Sequence, residues 1–269
     1  MKTTCRQSVL VAMLMGSAWL VLRSEHQVLE TATAEQRSVR LPDGSRVTLA
    51  AETRLVIESR SDQRAVRLER GEAYFEVAHD PTRPFVVRVT NHEAIAVGTA
   101  FNVEAQGDRM TVTVTEGVVR LRTVRTERNS ATTASIDAQE LKLAVGDRAA
   151  ADRNGEHSLP AASQVELVAA WRDGRLEYLQ QPLQAVIDDV NRYTEHKIII
   201  ADSSVGELLF TGTVLLDGVD AWLKALHGTF PVEIVEQGDR RVLQRDAKWP
   251  TEARPAPVLL PDHLSEPTS

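Results

Sequence analysis

Between Arg37 and about Arg125 apolar and polar residues alternate with a period of two, and no stretch settles into a helical repeat. Val47 and Leu49 alternate with Arg46 and Thr48, and Phe75 and Val77 with Tyr74 and Glu76. Phe85, Val87 and Val89 alternate with Val86 and Arg88, and Val112 and Val114 with Thr111 and Thr113. Successive side chains of a strand point to opposite faces, so this pattern belongs to strands with one buried face. Turn residues at Pro42-Asp43-Gly44, Arg70-Gly71, Asp80-Pro81, Gln106-Gly107-Asp108 and Glu116-Gly117 cut the segment into many short strands. A last strand over Leu141, Leu143 and Val145 ends at Gly146-Asp147, after a Ser/Thr/Ala-rich loop at 129–139. The pattern predicts an all-β domain over 37–150. It leaves a sandwich, a barrel and a stacked coil open, and no fixed-period repeat singles out a solenoid.

After a linker at 151–168 the rhythm changes. Leu176-Glu177-Tyr178 reads as a strand, and Pro182 opens a helix with Leu183, Val186, Ile187 and Val190 on one face. Strands follow at Lys197–Ala201 and Leu208–Val214. A second helix from about Gly218 to His227 carries Val219, Trp222, Leu223 and Leu226, with Asp217 to cap it and Gly228 to end it. Val232–Val235 and Arg241–Gln244 then pair across Gln237-Gly238-Asp239. The order β-α-β-β-α-β-β predicts a two-layer α/β module over 169–246. Prolines at 250, 255, 257, 261 and 267 predict a disordered tail over 247–269.

The other end of the chain sets the compartment. Ser8–Leu22 is uncharged, with Lys2 and Arg6 before it and Arg23 after it. As a helix it would be roughly 22 Å long, short of the ~30 Å hydrocarbon core, a gap that snorkelling Arg6 and Arg23 can close. The run is read as an uncleaved anchor. A signal peptide would need a cleavage site, but Ala32-Thr33-Ala34 lies too far downstream and Gly16-Ser17-Ala18 would leave Trp19–Leu22 on the new terminus. In this reading 1–7 is a short cytoplasmic segment, 8–22 spans the inner membrane, 23–36 is a linker, and everything beyond is periplasmic.

Several functions are excluded or disfavoured. The 31 Lys and Arg are outnumbered by 38 Asp and Glu, and aromatics are only 4% of the chain, so neither a basic footprint nor a stacking platform for nucleic acid is present. The one cysteine, Cys5, allows no intrachain disulfide and no four-cysteine zinc site. No phosphate-binding glycine loop, His-Glu-x-x-His helix or Gly-x-Ser-x-Gly elbow occurs. The histidines stand apart, and the pairs Glu72/Glu76 and Asp188/Asp189 fit solvated faces better than an acid–base or metal site. The reading is therefore of a binding protein, not a conventional enzyme, with no cofactor and no metal. A secreted or envelope-associated β protein, carbohydrate-binding or structural and without a sigma-factor link, is the alternative; its carbohydrate-binding form requires clustered exposed aromatics, for which only Tyr74, Phe75, Phe85 and Phe101 are available.

The pieces Leu41-Pro42-Asp43-Gly44-Ser45, Leu68–Val77 (LERGEAYFEV), Pro84–Val87 and Val97–Val103 (VGTAFNV) follow one another in an order that resembles the FecR family of transmembrane regulators. Val114–Leu121 (VTEGVVRL), Gly146-Asp147, Trp171–Tyr178 (WRDGRLEY) and Pro182-Leu183 through Tyr193-Thr194 continue it. The resemblance covers roughly residues 37–215. It implies a single-pass inner-membrane protein with a solenoid-like β domain and a module similar to the short amino-terminal domain of secretins and TonB-dependent transducers. It also implies partners: the periplasmic signalling domain of a TonB-dependent receptor, and an extracytoplasmic-function sigma factor. Members of the family carry a sigma-binding domain ahead of the membrane; only Met1–Gln7 stand there in this sequence, so no residue inherits that contact.

Two sets of site residues follow. Some members of the family cut themselves at a Gly-Thr bond, which maps onto Gly98-Thr99, with the Thr99 hydroxyl as nucleophile and no base evident from the sequence. Alternatively Gly98 only relieves a turn and Thr99 only packs. For protein binding, the α/β module could add a partner strand to a sheet edge. The candidate edge is Arg241, Val242 and Leu243; Leu208–Thr211 is the other candidate, for which internal pairing is expected.

Overall fold

The structure is a computed structural model that describes residues 27–59, 63–124, 140–152, 157–158 and 168–249. The expected anchor, the cytoplasmic segment, the 129–139 loop and most of the proline-rich tail lie outside the described residues. Among the described residues no helix is long and apolar enough to cross a membrane. The chain divides into two compact units between Leu176 and Glu177.

The first unit is built around one long strand. β1 (Gln27–Glu30), β2 (Arg37–Arg40), β3 (Arg46–Leu49) and β4 (Arg54–Ser59) lead into β5 (Arg64–Glu76), whose two halves serve different sheets. The first half of β5 pairs with β4 and, in parallel, with β6 (Phe85–Val89); the second half pairs with β3 and with β8 (Ala100–Gln106). The changeover falls at Gly71, with φ +86°. A Cβ there would stand 2.4 Å from Thr53 Oγ1, so only glycine lets the strand turn so close to its neighbour. β7 (His92–Ala96), β9 (Arg109–Glu116), β10 (Val118–Thr123), β11 (Glu140–Ala144), β12 (Arg148–Ala151) and β13 (His157–Ser158) extend the two sheets to β1-β4-β5-β6-β7-β10-β11 and β2-β3-β5-β8-β9-β12-β13.

Both sheets turn their apolar faces to one core. Phe75 stacks on Phe101 at 5.3 Å and meets Phe85 at 5.9 Å, among Val47, Leu49, Leu68, Met110, Leu121 and Leu143. The inward residues that the period-two pattern names from Val47 to Val114 are all buried; on the last strand Leu143 is buried, but Val145 lies past the end of β11 and is exposed. Three expectations need correction: the solenoid that the family resemblance implies, and both ends of the domain predicted over 37–150. Every pair in this unit except β5/β6 is antiparallel, which is sandwich-like pairing; a solenoid stacks its coils in parallel. The domain begins earlier than 37, because β1 pairs with β4 from Gln27↔Ile57 to Glu30↔Arg54. It also ends later than 150, since the 3-10 turn Ala170–Asp173, with Trp171 buried, belongs to this unit and not to the α/β module.

On the face of the first sheet away from the core, charges alternate from strand to strand. Arg122 meets Glu93, Glu93 meets Arg88, and Arg88 reaches Glu58 at 2.6 Å. Arg67 then joins Glu58 to Glu69, Arg54 joins Glu69 to Glu30, and Arg70 closes on Glu30. Burial pushes the carboxyls of Glu93 and Glu58 up, but the guanidiniums of Arg88 and Arg122 beside Glu93, and of Arg67 and Arg88 beside Glu58, outweigh it. Both groups sit below the usual glutamate range.

The second unit follows the order expected of it, with one short helix added. The division falls within β14 (Arg175–Pro182); then come α1 (Leu183–Val190), β15 (Ile198–Ile200), α2 (Ser203–Gly206), β16 (Leu209–Leu215), α3 (Val219–Thr229), β17 (Val232–Gln237) and β18 (Arg240–Arg245). The strands form two small sheets, β14-β16 and β15-β18-β17. Phe210 lies within 6.1 Å of Tyr178, Trp222 and Phe230, and the helices add Leu183, Ile187, Leu223 and Leu226 to the core. Asp217 does not cap α3: the capping position is Gly218, and Gly228 lies inside the helix, which runs to Thr229. Asp202 is a true cap, accepting from the Ser204 amide to start α2.

Candidate functional site

The first step is a turn. In Leu41-Pro42-Asp43-Gly44-Ser45 the amide of Gly44 returns to the Leu41 carbonyl, and the Asp43 carboxylate accepts from both the amide and the hydroxyl of Ser45. That fixes the Ser45 oxygen, which accepts from the amide of Ala78 at 3.0 Å. Asp43 also meets the guanidinium of Arg64, buried at the head of β5. Arg64 also donates to the carbonyls of Ala78 at 2.8 Å, Arg83 at 2.7 Å and Asp80 at 3.5 Å. A buried guanidinium is tolerable only when its fork of donors is satisfied, and here the satisfaction is what binds segment 78–83 to the β2–β3 turn.

Within that segment Asp80 accepts from the hydroxyl and amide of Thr82 and from Arg83. These bonds, the Thr82 hydroxyl first, bring its carboxyl down to about 2. The segment then grips the chain at residues 97–99: the Val77 amide donates to the Thr99 carbonyl at 2.9 Å and the Asp80 amide to the Val97 carbonyl at 3.0 Å. His79 is thereby laid against Gly98. A Cβ at residue 98 would stand 2.5 Å from His79 Nδ1 and 3.0 Å from its Cα, so no other residue fits.

Thr99 is only 7% exposed, and its hydroxyl has no hydrogen-bond partner among the described residues. Its methyl group faces Gly117, where a Cβ would come within 2.7 Å of that methyl and 3.3 Å of the Gly98 carbonyl oxygen. On the next strands Thr115 donates to the Ala100 carbonyl, so the Tyr74 hydroxyl must donate to Thr115. The guanidinium of Arg172 lies 3.7 Å over the Tyr74 ring, and the carbonyl of buried Trp171 accepts from Gln36. An open groove of about 510 Å³ runs between these parts, bounded by Arg46, Tyr74, Glu76, His79, Glu116 and Arg172 around Gly98-Thr99.

Motifs far apart in the sequence thus meet at one place. The turn at 41–45, Tyr74 of LERGEAYFEV, Gly98-Thr99 of VGTAFNV, Gly117 of VTEGVVRL and Arg172 of WRDGRLEY all border this groove or hold its walls. Arg64 and His79 were not picked out by sequence reasoning. Arg64 lies outside the motif pieces, and only the Asp80-Pro81 turn beside His79 signals that the segment is special.

The other site residues do not sit as expected. Arg241, Val242 and Leu243 lie in β18, the central strand of its sheet, paired to β15 through Ile198–Ile200 and to β17 through Ile234–Glu236. With a neighbour on both sides they offer no edge. β16, expected to be internally paired, has β14 as its sole sheet neighbour among the described strands and keeps a free side. Leu209 and Leu215 on it, and Leu179 on β14, are half or more exposed.

Among the described residues no group of histidines, cysteines or carboxylates could hold a metal. Phe75, Phe85 and Phe101 are fully buried and Tyr74 is covered, which removes the exposed aromatics that a carbohydrate-binding reading requires.

The FecR protein family matches residues 27–120. No curated protein gives a significant match. Two crystal structures from Parabacteroides distasonis ATCC 8503, at 2.50 and 1.65 Å resolution and each described as a "putative anti-sigma factor", are similar to the chain with 26% identity and a TM-score of 0.69. They cover 82% and 81% of this chain and 99% of their own. The family match starts at β1, where the sandwich starts, and it includes Arg64, His79, Gly98-Thr99 and Gly117; residues 27–120 are the part of the chain that matches the FecR family.

Proposed function

We propose that the chain is a signalling regulator of the FecR type, tethered to the inner membrane with its two units in the periplasm. It receives a signal from the periplasmic signalling domain of a TonB-dependent outer-membrane transducer and relays it, as an anti-sigma factor or activator, to an extracytoplasmic-function sigma factor in iron- or siderophore-linked transcription. The observation that carries this reading is the match to the FecR family, with neighbours described as anti-sigma factors that align over most of both chains. The apolar run at 8–22 supports the tether, and the sigma-factor contact is assigned to none of the described residues. The α/β unit supports the receiving role through the free side of β16, where a partner strand can add.

The same reading includes one self-directed reaction, cleavage between Gly98 and Thr99. The buried Thr99 hydroxyl, without a partner among the described residues, and the two grips on either side of Gly98 support it. Nothing in the site supports turnover of a separate substrate.

The test is retention and transcription together. The full chain, immobilised in detergent, is expected to hold the isolated signalling domain of the cognate transducer. Deleting its gene is expected to change transcription from a promoter that depends on the cognate sigma factor when the iron chelate is supplied. Neither retention nor a transcriptional change would overturn the reading.

A further inference from the structure

We infer that His79 is the proton-transfer group for chain cleavage at Gly98-Thr99; this rests on the reading of that bond as scissile. Four observations meet there. The imidazole is packed on Gly98 so closely that Nδ1 occupies the space a side chain would need. Among the described residues the buried Thr99 hydroxyl has no hydrogen-bond partner, so no bond to them has to be broken before it can act as a nucleophile. The Val77 and Asp80 amides hold the carbonyls of Thr99 and Val97, leaving Gly98 between two fixed points. Finally, His79 itself is exposed to solvent at the groove, where it can exchange protons with water.

The step balances with water as the only co-reactant. Thr99 Oγ1 bonds to the Gly98 carbonyl carbon while its proton passes to the imidazole. The imidazolium returns that proton to the Thr99 nitrogen as the C–N bond breaks, which leaves an ester between Gly98 and the Thr99 oxygen. Water adds to the ester, giving one proton to the imidazole, which hands it to Oγ1 as the C–O bond breaks. The products are a carboxylate at Gly98 and a free amine and hydroxyl at Thr99. The amide-to-ester shift is uphill, and hydrolysis of the ester draws it forward. Imidazole suits both proton transfers because histidine changes charge near neutral pH. The charged groups around it are Arg40 and Arg46 from β2 and β3, Glu76 from β5, Glu116 from β9, Arg172 from the 3-10 turn, and Asp80 on its own segment.

Arg64 is the positioning residue, since it ties the carbonyls on either side of His79 to Asp43. The experiment follows the full chain on denaturing gels from pH 5 to 8, as wild type, Thr99→Ala, His79→Gln and Arg64→Lys. The wild type is expected to split, with a rate that falls about tenfold per pH unit at the acid end of this range. Thr99→Ala stays intact. His79→Gln, which keeps the shape of the contact, splits about 100-fold or more slowly and loses the acid limb. Arg64→Lys slows the reaction but keeps the limb. If the wild type splits and His79→Gln matches it in rate, or is slow yet keeps the acid limb, the role of His79 is overturned while cleavage by Thr99 stands. A wild-type rate that is flat over this range overturns it as well, even if His79→Gln does not fold. An intact wild type overturns both.

Discussion

The two units bury apolar residues by different means, and the contrast separates holding a shape from offering a surface. The β unit closes two sheets over one core around three phenylalanines in contact and braces the outside of one sheet with linked ion pairs. The α/β unit divides its strands between two small sheets and leaves Leu179, Leu209 and Leu215 in solvent. A groove whose walls come from five separate motifs needs the first kind of construction, because each wall must be immobile for the others to be placed. A surface that accepts a partner strand needs the second, because its backbone groups must still be unspent.

The largest expected effect tests whether the units are separable. Phe101 is fully buried between the sheets, and Phe101→Ala should cost about 3–5 kcal/mol. Amide hydrogen exchange should then show residues 27–124 losing protection while 177–249 keep it. Equal loss in both would mean one cooperative block, and the comparison would fail.

Next in size is the charge ladder. Glu93 is held by Arg88 and Arg122, and Glu93→Gln leaves two guanidiniums half-satisfied, for an expected loss of about 1–3 kcal/mol. The sign of its pH dependence follows from the lowered carboxyls of Glu93 and Glu58. In the unfolded chain these groups take up protons at the ordinary glutamate range near pH 4.3, and in the folded chain only at lower pH. Their stabilisation is therefore complete above that range and drains away as pH falls through the folded values. Thermal melts from pH 7 to pH 3 should show the β unit weakening below about pH 5, and the slope should be shallower in Glu93→Gln.

A smaller effect separates a glycine of the groove from a glycine of an ordinary turn. Gly117→Ala meets both a positive φ of 77° and the Thr99 methyl, and should cost about 1–3 kcal/mol while displacing Thr99. Gly107→Ala meets a positive φ and open space, and should cost about 1 kcal/mol. Equal melting temperatures for the two would argue that the groove yields to an added carbon and is not the fixed site described.

What could be read in advance divides along the same line. The inward positions were legible because a period of two names a face whatever the topology: Val47, Phe75, Val87 and Val112 are all buried. Gly98-Thr99 was legible only through its family motif. How the sheets associate was not legible, because β5 changes partners at Gly71 and alternation cannot say which strand lies alongside. The base beside Gly98 was missed because its placement depends on Arg64, whose partners lie 14 to 21 residues away. The edge was misassigned for a related reason. Arg241–Leu243 has the composition of any strand, and its central place comes from a parallel pairing with Ile198–Ile200, more than 40 residues upstream.

That misassignment yields the smallest stability effect and a sharp functional one. Leu209→Ser alters an exposed residue on the free strand, and a change of this kind should move stability by no more than about 0.5 kcal/mol. If β16 is where a partner strand adds, the same substitution removes an apolar contact at the point of addition and should weaken retention of the transducer's signalling domain about tenfold, the effect of losing about 1.4 kcal/mol. Leu243→Ser gives the converse. It buries a hydroxyl at a fully enclosed site and should lower the melting temperature of the α/β unit, with binding lost only as folding is lost. Unchanged retention by Leu209→Ser, in a protein that melts like the wild type, would move the contact off β16 and leave its exposed leucines without a role.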